Sequence, residues 1–534
     1  MNRGVLGKRT AICFLVLLLL MFLTVIRLAS IMTSDEYLTA ANEQSTRRIT
    51  VKTKRGTIFS SNMTPLTNSE ERYATLITDE PEGINMLSEY LSQEEMNDII
   101  KEIRASGFAV RTLDREIKAQ GLYSIRVKGE LDSQIANHIV GYVNGENHGV
   151  SGLQAAYDDL LYSTQKAEFT FSVDGHGNIL KGSVNRTGLD YTAENSGIMT
   201  TIDVEIQKIV NEAMKDITCG AAIVTEVKSG KIRAMVSRPD YDINNLAQAL
   251  NNQDSPLINR CLYNYNVGSV FKPLVAAAGI ESNKSDFMHN CVGYSDIDGL
   301  IFACHKLSGH SWVSLRQAIK YSCNTYFYDF AAFIGADRIY KMAQSAGFDG
   351  VLTLAQGIKT EQGKIGNLTQ LEISNRAIAN LAIGQGELMV SPLALSNLYM
   401  AIANDGSYKP PTLIEGTVTN GELKEKLSEV KSVRLMEPTT ALILRSYLSG
   451  VLEEDGTGFL ARPTITTAAG KTGTAQTGMI KDGKRTTNAW FCGFFPKTEP
   501  KYTVIILAEN ANSGCTLAFS KIADEITRLS TIKQ

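Results

Sequence analysis

The chain has 534 residues, 43% hydrophobic and 20% charged, with a formal net charge of -3. That length exceeds one compact domain and allows a large core, while the near-neutral balance excludes the basic surface that a nucleic-acid partner would require. Six histidines and eight cysteines are scattered without a C-x-x-C or H-E-x-x-H run, so no metal site of familiar spacing and no cofactor are expected.

Taken in chain order, the first element is a membrane segment. Arg3, Lys8 and Arg9 precede a charge-free stretch from Thr10 to Ile26, which rises about 25 Å as helix. Arg27 can snorkel, and Leu28 to Met32 extend the apolar run. Basic residues before the span and no excess after it put the N-terminus in the cytoplasm and the bulk outside, as a single-pass protein of the cell membrane. A cleaved signal peptide is the alternative, but Leu28-Ala29-Ser30 offers no A-x-A site.

Residues 1–33 therefore form tail and anchor, and residues 34–195 form a polar, extended module of modest core. This module has a turn-strand start at Arg55-Gly56-Thr57-Ile58 and an amphipathic stretch from Glu94 to Ala105. Its carboxylates read as solvated charges and its glycines, such as Gly149 and Gly152, as turn residues.

The remaining unit, 196–534, opens with a capped helix at Ile202 to Val210. A strand at Ala221 to Val227, a Gly-containing hairpin loop and a strand at Ile232 to Val236 follow. After a long helical middle, strands are predicted at Thr464 to Thr477, Asn488 to Phe495 and Tyr502 to Ala508, with a last helix from Thr516 to Leu529. Strands at both ends around a helical interior predict one antiparallel sheet assembled from the two ends of the domain, an α+β fold.

Three short patterns carry the chemistry: Ser269-Val270-Phe271-Lys272, Ser322-Cys323-Asn324 and Lys471-Thr472-Gly473-Thr474. Singly they are weak, since S-x-x-K recurs at Ser163, Ser428 and Ser530 and S-x-N at Ser60 and Ser183. Only the first three fall in order inside the last unit with suitable local structure. Ser269 follows Gly268 at the start of a helix over Phe271 to Ile280, where unpaired N–H groups favour developing negative charge, and Pro273 is tolerated in the first turn. Lys272, one turn on, lies on the same face as a base for the serine. Its pKa must fall well below about 10.4, which burial and a nearby Lys471 can achieve. Ser322 can relay a proton and Asn324 can bond a substrate amide, from a turn after the helix Leu315 to Lys320. Lys471, Thr472 and Thr474 on an exposed sheet edge can bind a substrate carboxylate, and Gly473 permits close approach. The N–H groups of Ser269 and Thr474 can form an oxyanion hole. Each pattern also has a plain structural reading: a cap with a solvated lysine, a helix cap, and an exposed hairpin.

Together the three patterns resemble those of a class B penicillin-binding protein. Thr201-Ile202-Asp203, Asn259-Arg260, Gly384-Gln385-Gly386 and Ser391-Pro392-Leu393 extend the resemblance over essentially everything after residue 196. Arg55-Gly56-Thr57-Ile58 and Gly149-Val150-Ser151-Gly152-Leu153 resemble landmarks of the preceding module, although Ser60-Ser61-Asn62-Met63 and Gln154 depart from the usual residues. The resemblance implies a penicillin-binding transpeptidase domain of the serine β-lactamase-like fold on an extended pedestal. It also implies a peptidoglycan D,D-transpeptidase that attacks D-Ala-D-Ala of stem peptides through Ser269, is acylated by β-lactams, and serves cell shape or cell division. With no glycosyltransferase motif before residue 196, a separate membrane glycosyltransferase is the implied partner. A D,D-carboxypeptidase, a β-lactamase and a non-catalytic membrane scaffold are the alternatives; the second is opposed by the anchor and by the lack of an E-x-x-L-N segment. Cys291 and Cys304, with His289 and His305 beside them, are expected to be free thiols, with a disulfide or a metal site as the alternatives.

Overall fold

The computed structural model describes residues 3–33, 39, 45–68, 70–129, 134–175, 178–189, 197–426, 430–481 and 483–532. Residues 34, 195 and 196, at the borders expected from the sequence, lie outside these. A helix over Arg3–Thr33 opens the chain. Its stretch Gly7–Thr33 is long and apolar enough to cross a membrane, and side chains such as Phe14, Leu18 and Phe22 are exposed along it.

The chain forms two compact units that are discontinuous in sequence. One comprises Met1–Lys54, Glu70–Gly129 and Ser163–Tyr191, and the other Arg55–Ser69, Glu130–Tyr162 and Thr192–Gln534. In the first, strand Glu70–Thr78 lies between Phe108–Leu113 and Leu122–Gly129, antiparallel to both. Alternation along the strand sends Ile77 to one face, where it joins Met96, Ile99 and Ile103 of the helix Gln93–Ser106. Ala74 and Leu76 point the other way, to Phe169 and Phe171. That helix is the predicted amphipathic stretch; a capping box between Ser92 and Glu95 starts it and left-handed Gly107 ends it.

The second unit is built on five strands: β1 (Gly220–Glu226), β2 (Ile232–Arg238), β3 (Ala469–Lys481), β4 (Lys484–Phe495) and β5 (Tyr502–Ala508), in the antiparallel order β2-β1-β5-β4-β3. The two sequence ends thus meet where β5 pairs with β1, Ile505 opposite Ile223. Helices α1 (Val204–Ala213) and α6 (Cys515–Ile532) pack on the sheet and on each other, with Phe519 against Phe491 at 4.5 Å between ring centroids. Trp490, the next residue of β4, points the other way and donates to the carbonyl of Asn266. On that side lies α5 (Pro392–Ala403), all twelve residues of which are buried, capped by Ser391.

The third strand starts at Ala469, not at Thr464. The main-chain N–H groups of Thr464 and Ile465 donate to the Asp524 carboxylate of α6, and so are not available to a sheet partner. Near the start of this unit, Thr57–Phe59 pairs in parallel with Gly197–Thr200. The buried Arg55 beside it donates to Gln154 and to the carbonyl of Asn147 and pairs with Asp158 at 2.8 Å. The two stretches that the sequence marks separately, around Arg55 and around Gln154, are therefore two halves of one polar cluster. Burial pushes the Asp158 carboxyl up, but hydrogen bonds from the Gly149 N–H, His148 and Arg55 outweigh it and bring the pKa down to about 2.

Candidate active site

All three sequence patterns converge on one cleft of about 390 Å³, lined among others by Ser269, Ser322, Asn324, Thr472, Gly473 and Thr474. Ser269 sits in a short 3-10 turn, Gly268–Phe271, that runs directly into α2 (Lys272–Glu281), with Pro273 in its first turn as expected. Gly268 has φ +61°, and a Cβ there would lie 2.6 Å from the carbonyl oxygen of Thr474. A Cβ on Gly473 would lie 2.9 Å from Val270. Both glycines therefore allow edge strand β3 to close on the serine turn at backbone distance.

Lys272 begins α2 with its side chain fully buried. Its Nζ donates to the Ser322 carbonyl at 2.8 Å, to Ser322 Oγ at 3.2 Å and to Asn324 Oδ1 at 2.7 Å. Ser322 lies between α3 (Leu315–Lys320) and α4 (Asn324–Ile334), at a φ of +54° that a non-glycine residue adopts only at a cost of about 1 kcal/mol or more. From β3, the equally buried Lys471 donates from Nζ to Ser322 Oγ at 2.9 Å and to the Thr472 carbonyl at 3.0 Å. One hydroxyl thus joins the two amines.

No carboxylate forms an ion pair with either lysine among the described residues. Burial brings Lys272 down to about 7, against an opposing effect from the thiols of Cys323 and Cys304. Burial, and then the positive charge of Lys272, holds Lys471 well below the ordinary lysine range. As an ammonium, Lys272 satisfies three acceptors; as a neutral amine it keeps two N–H donors and presents a lone pair.

Some lining residues carry no signal in the sequence. Thr457, which accepts from Thr472 Oγ1 at 3.0 Å, belongs to a loop of Glu, Asp and Gly that reads as a plain turn. Gln385 lines the cleft with a buried Nε2 that has no acceptor among the described residues; the sequence marked it only as part of Gly384-Gln385-Gly386.

Residues 220–529 match the model of the penicillin binding protein transpeptidase domain. The chain belongs to that family. Among its curated relatives are the stage V sporulation protein D of Bacillus subtilis and the peptidoglycan D,D-transpeptidase MrdA of Acinetobacter baumannii. The first is 28% identical over 422 residues, 74% of this chain and 62% of the relative. The second is 26% identical over 438 residues, 71% of this chain and 63% of the relative. This transpeptidase-family chain thus spans somewhat less than two thirds of the length of either. Its fold is similar to the crystal structure of the D,D-transpeptidase domain of a peptidoglycan glycosyltransferase from Eggerthella lenta. The TM-score is 0.65 at 22% identity, over 90% of this chain and 99% of that one.

Proposed function

We propose that this protein is a peptidoglycan D,D-transpeptidase working through a Ser269 acyl-enzyme. The observation that carries the reading is the pair of fully buried lysines joined through Ser322 Oγ at 2.9 and 3.2 Å, where Ser322 and Ser269 line one cleft and no carboxylate pairs with either lysine among the described residues. In the reaction, neutral Lys272 takes the Ser269 proton as Oγ attacks the penultimate D-Ala carbonyl. The oxyanion that forms is held by the N–H groups of Ser269 and Thr474. Ser322 accepts N–H bonds from both lysines, so its own hydrogen can pass to the departing D-Ala nitrogen while the Lys272 ammonium returns a proton to Ser322 Oγ. The amine of a neighbouring stem peptide then attacks the ester, loses a proton back along the same route, and releases Ser269. Lys471, Thr472 and Thr474 bind the terminal carboxylate, and Asn324 binds the peptide amide.

None of the described residues lining the cleft is Asp or Glu, so none of those side chains can act as a carboxylate base for a deacylating water. This supports a transferase over a β-lactamase, whereas a D,D-carboxypeptidase shares the same machinery. The names of the relatives support peptidoglycan as substrate. The apolar helix and the charges before it support a single-pass membrane protein with a cytoplasmic N-terminus and the cleft outside. β-Lactams are the expected inhibitors, and a membrane glycosyltransferase that makes the glycan is the expected partner.

Labelling full-length protein with a fluorescent penicillin tests the chemistry. A long-lived adduct is expected on wild type and none on Ser269→Ala, a loss on the order of 10⁴-fold or more. Offering a donor pentapeptide together with an acceptor amine separates transfer from hydrolysis. If the adduct clears within seconds, or only the hydrolysed peptide forms at saturating acceptor, the transpeptidase reading fails.

A further inference from the structure

A transferase must hold two peptides at one acyl carbon, and the cleft over Ser269 accounts for the donor. A second cavity, of about 200 Å³, shares the residue Gln385 with that cleft. It is lined by residues of the helices Leu368–Ile373 and Asn375–Ala382 and of the turn Gly384-Gln385-Gly386. That turn is fixed to the nucleophile. The Gly268 N–H donates to the Gly384 carbonyl at 2.8 Å, and Asn266 donates from Nδ2 to the Leu388 carbonyl at 2.7 Å. Gly384 has φ +72°, and a Cβ there would lie 2.1 Å from the Gly268 carbonyl oxygen. The residue before Ser269 is therefore held both by β3, through Thr474, and by the turn that walls the second cavity. The helix Asn375–Ala382 also packs on α4, which starts with Asn324.

The chemistry of the lining fits a peptide. Ile365, Leu371 and Leu381 give it a buried apolar wall. The side chains of Gln370, Asn380 and Gln385 make no hydrogen bond among the described residues, and Gln385 Nε2 is buried without an acceptor. A buried N–H left unpaired costs folding energy, which a ligand carbonyl would recover. A primary amide presents a donor and an acceptor side by side, the complement of a peptide group. Glu387, on the same lining, is paired with Lys364 at 2.9 Å. The cavity thus offers a ligand neutral hydrogen bonds beside an apolar wall rather than a fixed charge.

We propose that this cavity takes the acceptor stem peptide, with Gln370 and Asn380 on its peptide groups and Gln385 as the specificity-determining residue where acceptor meets acyl-enzyme. The inference rests on the transpeptidase reading above and adds to it the place of the second substrate. The acceptor's neutral amine attacks the Ser269 ester carbon. The C–N bond forms as the C–Oγ bond breaks, and the proton lost by the nitrogen ends on Ser269 Oγ. A competing water has no peptide body for the cavity to hold. Binding that body beside the ester raises the local concentration of amine over water and so decides between transfer and hydrolysis.

The test gives full-length protein in detergent a donor pentapeptide and one of two acceptors. One is a stem tetrapeptide with a free side-chain amine; the other is glycinamide, which has an amine but no peptide body. The readout is the ratio of transfer to hydrolysis, which does not depend on how fast Ser269 is acylated. Asn380→Ala, and Ala377→Leu, which narrows the cavity, are expected to lower that ratio about tenfold for the tetrapeptide and to leave it level for glycinamide. In wild type, with no variant needing to fold, a diazirine-bearing tetrapeptide is expected to label the chain between Ile365 and Glu387. Three results would each overturn the site: both variants transferring to the tetrapeptide as wild type does; an equal loss with both acceptors; or photolabel confined to other parts of the chain. Wild type that hydrolyses the donor whichever acceptor is present fails the transpeptidase reading itself, a different outcome from any of these three.

Discussion

In the N-terminal unit Arg111 pairs with Glu102 at 2.8 Å and Arg126 with Glu71 at 3.1 Å, with all four side chains reaching solvent. In the larger unit Lys272 and Lys471 are fully buried and, among the described residues, donate to neutral oxygens alone. The first arrangement gives little and costs little, because water already solvates both partners. The second works against folding: a cation taken out of water without a carboxylate is pushed toward its neutral form. Burial without a counter-ion thus separates these lysines from the solvent-reaching arginines and supports the proton-transfer role proposed for them.

The sharpest way to break this contrast is Lys272→Met, which fills the same space without an amine. Penicillin acylation should fall about 10³-fold, while the thermal midpoint stays level or rises, since no charge is left to bury. Near-normal acylation in a folded variant would remove Lys272 from the chemistry. Next, Gly268→Ala places a Cβ 2.6 Å from the Thr474 carbonyl at φ +61° and should slow acylation about 10²-fold by displacing the serine turn; an unchanged rate would show that the turn and β3 need not close.

The pH dependence sharpens the comparison further. Burial brings Lys272 down to about 7, and the proposed base is its neutral amine. Acylation rates in stopped flow should therefore fall about tenfold per pH unit below about 7 and level off above it. A flat profile from pH 5 to 8 would mean that the amine does not titrate there. Between about pH 7 and the ordinary lysine value of 10.5, the unfolded chain binds one more proton than the folded one, so this group's contribution to stability is flat below about pH 7 and rises with pH across that window. The smallest effect belongs to the other region: Arg111→Ala should cost about 0.5 kcal/mol in denaturant unfolding and leave acylation untouched. A large loss of acylation there would contradict the division of roles.

Several features were legible because the residues that specify them are neighbours in the chain. The apolar span, the strands from Ala221 to Val236 and from Tyr502 to Ala508, and the turn carrying Ser322 follow from local periodicity, caps and turn residues. Ser269 and Lys272 are one helical turn apart and could be paired by spacing alone. The start of β3 was misplaced because what claims the N–H groups of Thr464 is a carboxylate sixty residues on. Arg55 and Gln154 looked like separate landmarks because nothing local says that they touch.

The sequence by itself singled out the residues proposed to carry acyl-transfer chemistry, since their order and local setting select them from chance matches. Only the tertiary structure decided that Ser322 Oγ stands between two amines, that those amines are fully buried, and that His310 rather than His289 or His305 lies among three thiols. The physical reason is that desolvation and ligand geometry depend on the distance between side chains in space, and a chain folded into distant ribbons, helices and an edge strand does not write that distance into its order.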